Sequence, residues 1–417
     1  MRVTSCRAGI SGRAIIKTGK PRPRAACSLA CAPVPPAFLQ TTMSTRCSRI
    51  NAVSLATSKG PRETMVVCCG NGVISADHSG AVKLEPHSPG LRCLHALDCL
   101  YNPEAKAPML HRYFDTTFAD LPELERGKLV DMIAEFVGAC LFGAATRFQS
   151  SLFMVGAGDN GKSVLLGVIR ALFPRTAIAA IPPQEWDNWF HRAELAGKAI
   201  NLVAELPDRE LIDSDSFKAI ISGDEVQAAE KRQQPFKFVP RAGHVFACND
   251  LPPSRDATTG FWRRPLVVPF TRRIPAAERI RELDKLIAQN ELDGVLAWAA
   301  AGFDRLCRRG QYAPPAASEA AKAEWRVESN TVLLFLRDAC VIDPAGEVRA
   351  ATLYRAFCAW AKENGHHPLS STAFGKRLVH AGVERVDDKF GRAYRVHLRA
   401  PEQLGITPLS LGIMRPP

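Results

Sequence analysis

At 417 residues the chain is long enough for two or three domains of roughly 100–200 residues each. Its 46% hydrophobic and 23% charged residues are an ordinary globular balance, and no apolar run approaches the ~20 residues of a membrane helix, so no membrane partner and a cytoplasmic location are expected. The net charge of +12 suggests nucleic acid, but residues 1–60 hold ten Lys or Arg and no Asp or Glu, leaving about +2 elsewhere, so only local basic clusters can argue for DNA.

Residues 1–64 are rich in Arg, Pro, Ser and Ala and show no helical or strand period. Three readings stay open for them: a disordered basic tail, an organellar transit peptide, or a start called too early, with Met43 or Met65 as the true first residue. The 13 cysteines are scattered, with no Cys-x-x-Cys and no zinc spacing, and read as reduced thiols. Between residues 66 and 100, short apolar runs alternate with Asn71-Gly72, Ser79-Gly80 and Ser88-Pro89-Gly90, which predicts small strands and hairpins. From 103 to 148 the texture is helical. Leu129, Ile133, Phe136, Val137 and Cys140 recur at helical spacing, which predicts a helical collar ahead of the next unit.

Residues 151–307 alternate strand and helix. SLFMV, AINLVA, HVFAC and PLVVPF are short buried-strand runs. Residues 163–173 read as a helix stopped by Pro174, residues 213–222 as a helix capped by Asp213, and residues 276–308 as one long helix. Such alternation predicts an α/β fold with a mainly parallel sheet covered on both faces. Residues 309–317 read as a Gly/Pro/Ala linker. A smaller unit then runs helix (330–339), strand near Val348, helix (351–364), helix (371–380) and two strands (383–387 and 393–398), the order of a winged helix. The boundaries are 1–64, 65–148, 149–308, a linker 309–328, the winged helix 329–400 and a tail 401–417.

The residues with the clearest chemistry are Gly156, Ala157, Gly158, Asp159, Asn160, Gly161, Lys162, Ser163 and Val164, which fit the phosphate-loop pattern G-x-x-x-x-G-K-[ST] between an apolar strand and a helix. The glycines let backbone amides wrap phosphates at a helix N-terminus, Lys162 pairs with the outer phosphates of ATP, and the Ser163 hydroxyl binds Mg²⁺. Glu205 ends the AINLVA strand, where a carboxylate can orient Mg²⁺ or polarise water; Asp208 is a weaker companion. Asn249 ends the next strand, as a hydrogen-bonding amide for the γ-phosphate or as a turn former. Arg263 and Arg264 precede the last strand, as cations for a phosphoryl transition state or as a basic strand edge. In the C-terminal unit, Lys376 and Arg377 lie on the candidate recognition helix, with Lys389, Arg392 and Arg395 at the wing. They suit a groove-and-backbone contact to DNA, or a protein-docking surface on the same fold.

In this order, GAGDNGKS, GKAINLVAEL, KAIISGDEVQAAEKRQQPFKFVP, HVFACNDLP and GFWRRPLVVPF resemble the core of a superfamily-3 helicase, in particular the phage and plasmid primase–helicases related to the poxvirus type. The resemblance runs from about Val66 to Leu398. It implies an AAA+-like ATPase, using ATP and Mg²⁺, that forms a homo-oligomeric ring, usually a hexamer, on DNA. It makes residues 156–163 the nucleotide loop, Glu205 the second acidic motif, Asn249 the sensor, and Arg264 or Arg263 the finger reaching a neighbour's ATP. A hairpin within 223–239 would carry Lys231 and Arg232 into the pore. Two departures stand out. Ala204 occupies a place where many members have a second acid, and residues 1–64 cannot supply a primase domain, which predicts helicase activity with a separate primase as partner. The rival expectations are a P-loop phosphoryl transferase acting on a small molecule and an inactive DNA-binding prophage remnant.

Overall fold

The computed structural model describes residues 65–399, apart from residues 78, 89–92, 94, 208–211, 255, 257 and 390. The readings placed on 1–64, on 401–417 and on Asp208 lie outside the described residues. The chain opens with an antiparallel sheet of β1 (Met65–Cys69), β2 (Gly72–Ala76) and β3 (Val82–Glu85), in the order β1-β2-β3. At the β2–β3 turn the Asp77 carboxylate accepts from the Ser79 and Ala81 amides, and Gly80 takes the left-handed backbone that the turn needs. Helices α1 (Pro108–Thr117) and α2 (Glu123–Leu141) follow, over the stretch read from the sequence as the collar.

Next come β4 (Ser151–Val155), α3 (Lys162–Leu172), β5 (Ile178–Ala179), the short α4 (Trp189–Ala193), β6 (Ile200–Val203) and α5 (Ser214–Ser222). A hairpin of β7 (Val226–Ala228) and β8 (Phe236–Phe238) leads to β9 (Gly243–Cys248), α6 (Thr259–Trp262) and β10 (Pro265–Pro269). Five of these strands form one parallel sheet in the order β10-β4-β9-β6-β5. Because successive side chains of a strand point to opposite faces, β4 sends Leu152 and Met154 into one apolar cluster and Phe153 into another. The first cluster also contains the collar and residues of β1 and β2, so the N-terminal strands, the collar and one face of the sheet share a continuous core. Among the described residues no helix is long and apolar enough to cross a membrane.

The single helix expected over 276–308 is in fact broken. A short turn at Ala276–Glu278 precedes α7 (Leu283–Asn290) and α8 (Leu292–Arg309). The break sits at Glu291, whose buried carboxylate accepts from the amides of Met109 (2.8 Å) and Leu110 (3.1 Å) in the first turn of α1. Those amides have no partner within their own helix, and an anion there also meets the positive end of the helix dipole. A tertiary demand thus overrides local helical propensity. Helix α8 packs along α2, and glycine brings the two backbones together. A methyl group at Gly138 would lie 2.9 Å from Phe303 Cβ, and one at Gly302 would strike Ala134. Between these helices the buried Glu135 is held by Arg309 and, at 3.7 Å, by Arg305.

The stretch 309–328 is also more than a linker. After Gly310 it becomes α9 (Ala316–Glu328), which lies against β10. Trp325 on α9 is fully buried. Its ring centroid is 4.9 Å from Phe153 and 5.1 Å from Trp262, and its Nε1 donates to Pro252 O at 2.8 Å. The helix therefore closes the second face of the parallel sheet. Trp325→Ala should lower the unfolding free energy by about 3–5 kcal/mol, measured by denaturant titration, because it removes a large buried ring and leaves a cavity. A loss below ~1 kcal/mol would show that α9 is peripheral.

The C-terminal unit consists of α10 (Thr331–Ala339), β11 (Cys340–Ile342), β12 (Val348–Arg349), α11 (Ala350–Glu363), α12 (Ser371–His380), β13 (Arg385–Asp388), β14 (Gly391–Tyr394) and β15 (Val396–Leu398). Phe335, Phe357, Trp360 and Phe374 fill its own core. The expected two-stranded ribbon divides: β14 pairs with β13 and β12, whereas β15 leaves at Arg395 to pair with β11, a strand the sequence reading lacked.

Candidate functional site

The loop 156–161 leaves the carboxyl end of β4 and enters α3. Its shape depends on glycine at two points. A Cβ on Gly156 would meet Phe270 O and, at 2.6 Å, Asn160 Nδ2, while Gly161 is left-handed (φ 92°) and pressed against Tyr113 and Thr117. Gly158 has nothing within 4 Å of the position its Cβ would take. Gly156→Ala should therefore cost about 1–3 kcal/mol as an overpacking change, whereas Gly158→Ala should stay within about 0.5 kcal/mol. Equal melting temperatures for the two variants would contradict this packing. Three further bonds brace the loop. Gly156 N donates to Cys248 O on β9 (3.3 Å), Asn160 Nδ2 to Phe270 O (3.2 Å), and the Tyr113 hydroxyl to Gly161 O (3.0 Å).

Lys162 is buried at the base of the loop, where Nζ donates to Asn160 Oδ1 (3.2 Å) and to Gly156 O. Burial pushes its ammonium below the ordinary lysine value, so a nearby anion would be welcome electrostatically. Ser163 is exposed in the first turn of α3, with Val164 half-buried beside it, and Ala157, Gly158 and Asp159 form the exposed crest of the loop.

Glu205 stands two residues beyond β6, and Asn249 immediately follows β9. Since β9 lies between β4 and β6, the loop, Asn249 and Glu205 come from three adjacent parallel strands at their common carboxyl edge. Leu206 N donates to Ala247 O (2.9 Å), which ties the Glu205 turn to β9. Both Glu205 and Asn249 are exposed. This is the edge at which open parallel sheets present ligands.

Arg263 and Arg264 are elsewhere. They precede β10, whose Pro265 pairs with Ser151 at the start of β4, so they occupy the opposite edge of the sheet. Arg263 is exposed and donates to Gln149 Oε1 at 2.5 Å. Arg264 is buried, with Nη2 on Ser222 Oγ at 2.6 Å and Nη1 on Gly260 O. Lys231 and Arg232 form the exposed turn of the β7–β8 hairpin, where Arg232 is left-handed (φ 66°). Lys376 is exposed on α12, while Arg377 lines a groove of about 480 Å³ with Lys322, Arg326 and His380. Lys389 and Arg392 are exposed at the β13–β14 turn, Arg392 lying 3.5 Å from Asp387. None of these cations is gathered at the loop. Among the described residues no group of three His, Cys, Asp or Glu forms a metal cluster.

Sequence reasoning passed over Tyr113, which clamps Gly161 from the collar, and Arg273 and Arg279, which meet at Asp159 on the loop. The run Arg272-Arg273 just after a strand was visible, but it fits no motif.

Two family matches fall on these regions. Residues 154–264 match a family of unknown function, DUF5906. Residues 327–389 match the family described as poxvirus D5 protein-like. Over its C-terminal unit the chain is therefore similar to the poxvirus D5 protein-like family. A curated relative is "Putative helicase 121R" of Invertebrate iridescent virus 3, 26% identical over 200 residues, or 45% of this chain. The chain spans about a fifth of that protein's length (20%). Among solved structures, an A-form apo structure of the NrS-1 C-terminal region is 11% identical, covering 81% of this chain and 96% of that one with a TM-score of 0.41. A second structure of the same region gives 12%, 80%, 96% and 0.40.

Proposed function

We propose that this poxvirus-type relative is an ATP-hydrolysing DNA helicase of the superfamily-3 kind, serving replication of a phage, plasmid or prophage. In this reading residues 149–308 are the AAA+-like core, 65–148 its collar and 329–400 a winged helix. One observation carries it: the glycine loop with Lys162 and Ser163, Asn249 and Glu205 arise from three adjacent parallel strands at one edge. The backbone amides and Lys162 would hold the phosphates of ATP. The exposed Ser163 hydroxyl and the Glu205 carboxylate fit a hard, oxygen-seeking Mg²⁺ that completes its shell with phosphate and water, for which no all-protein cage is needed. Bound Mg²⁺ would neutralise charge on the phosphates. Asn249 would hydrogen-bond the attacked phosphate or the attacking water, and Glu205 would orient that water.

Arg263, at the opposite edge, is suited to a neighbouring copy's ATP in a ring. The relative named a putative helicase and the basic hairpin turn support DNA as the polymer translocated. The deciding experiment is strand displacement on forked DNA with and without ATP, paired with ATP hydrolysis with and without single-stranded DNA. Unwinding and stimulated turnover are expected. Hydrolysis indifferent to DNA would instead indicate phosphoryl transfer to a small molecule, and binding to DNA without any turnover would indicate an inactive remnant.

A further inference from the structure

After β10 the chain turns back over the loop and is fastened there. Ile274 N donates to Asp159 O (3.0 Å), and Arg279 Nε donates to Ile274 O (2.8 Å), which closes the strap on itself. Arg272 anchors the strap to the collar, with Nη1 on Thr116 O (2.8 Å) and Nη2 on Glu278 Oε2 (2.9 Å). Two other arginines remain. Arg273 Nη2 and Arg279 Nη2 each stand 3.2 Å from the same oxygen, Oδ2 of Asp159.

That carboxylate is in an odd place. Asp159 sits at the crest of a loop whose other features favour an anion, and it holds a left-handed backbone (φ 66°) that few non-glycine residues adopt. Alone it would repel phosphate. With two guanidiniums on it, the local charge becomes positive. The cluster contributes little to folding, since the side chains of Arg273 and Arg279 are 79% and 41% accessible and exposed ion pairs are worth about 0–1 kcal/mol. The Ile274 N–Asp159 O bond and the Arg272 anchor already hold the strap at the loop and the collar. Two guanidiniums sharing one carboxylate oxygen are also under-used, because each can bind an oxyanion through two N–H groups.

We infer that Arg273 and Arg279 are ligands for the terminal phosphate of a nucleoside triphosphate, held at the loop by Asp159 until that phosphate arrives. This rests on the nucleotide-site reading above and extends it to two residues outside its motifs. The terminal phosphate is the one that carries two charges and projects beyond the loop amides. On binding, the guanidiniums exchange one carboxylate oxygen for phosphoryl oxygens, and Asp159 turns to solvent.

Titration of the full chain with ATP and with ADP, followed by fluorescence of a labelled nucleotide, tests this. The Arg273→Ala/Arg279→Ala double variant should bind ATP about tenfold more weakly and ADP less than about threefold more weakly. Lys at both positions should recover part of the ATP affinity. Asp159→Asn should bind ATP more tightly than wild type, since it frees both arginines and removes an anion from the loop. A purely structural strap predicts the opposite for Asp159→Asn and equal losses for ATP and ADP, so either result overturns the inference. Unchanged ATP binding in the double variant, beside intact wild-type binding, overturns it alone. A wild-type chain that binds neither nucleotide overturns both it and the site reading.

Discussion

The Lys162→Ala protein should fold and hydrolyse ATP slower than wild type by on the order of a hundredfold or more. Lys162 is the one cation buried within the loop, and its Nζ now rests on Gly156 O and Asn160 Oδ1, acceptors that phosphate oxygens would replace. Stability should change little. Burial already disfavours this ammonium, so its removal relieves a desolvated charge while forfeiting two hydrogen bonds. Steady-state hydrolysis by the purified variant, with its melting curve beside it, checks both halves. Wild-type turnover in a folded Lys162→Ala protein would end the nucleotide-loop assignment.

The paired arginines should separate. Arg263→Ala is expected to fold, bind ATP normally and hydrolyse it on the order of a hundredfold more slowly. Mixing it with Lys162→Ala subunits should restore part of the activity, because a complete site then forms between one subunit's loop and another's guanidinium. For Arg263 to reach a bound phosphate, a second copy would have to present it. Arg263 lies beyond the start of β10, and the loop lies beyond the end of β4, four strand steps or about 13 Å further along. Arg264→Ala should behave differently. Its guanidinium is bonded to Ser222 and Gly260 within its own subunit, so its loss should cost about 1–3 kcal/mol of stability and leave a defect that mixing does not repair. If Arg264→Ala is the variant rescued by mixing and Arg263→Ala is fully active, the roles are reversed. If neither variant is impaired, the shared-site ring fails.

Much of the parallel sheet was legible because its strands are short apolar runs that end at polar turns. SLFMV, INLV and HVFAC stand in the structure nearly as the sequence predicts, and Asp213 caps α5 by accepting from Ser216 N. What escaped is what distant contacts decide. Nothing local marks Glu291 as a helix break, since its partners are amides some 180 residues earlier. Trp325 lay within the 309–328 stretch bounded as linker, although a lone tryptophan among alanines was a signal of burial. Burial also separates Arg263 from Arg264, adjacent residues of the same type, and adjacency alone cannot reveal which one points inward.

The close approach of α2 and α8 at Gly138 and Gly302 bears on how such a gene can be rearranged. The partners in that contact lie more than 160 residues apart, on either side of the loop, and neither glycine can take even a methyl group without a backbone collision. A front half imported from a cousin with a larger residue at position 138 would not seat against α8. The collar and the C-terminal part of the core must therefore be matched to one another at this crossing, however far apart they lie in the gene.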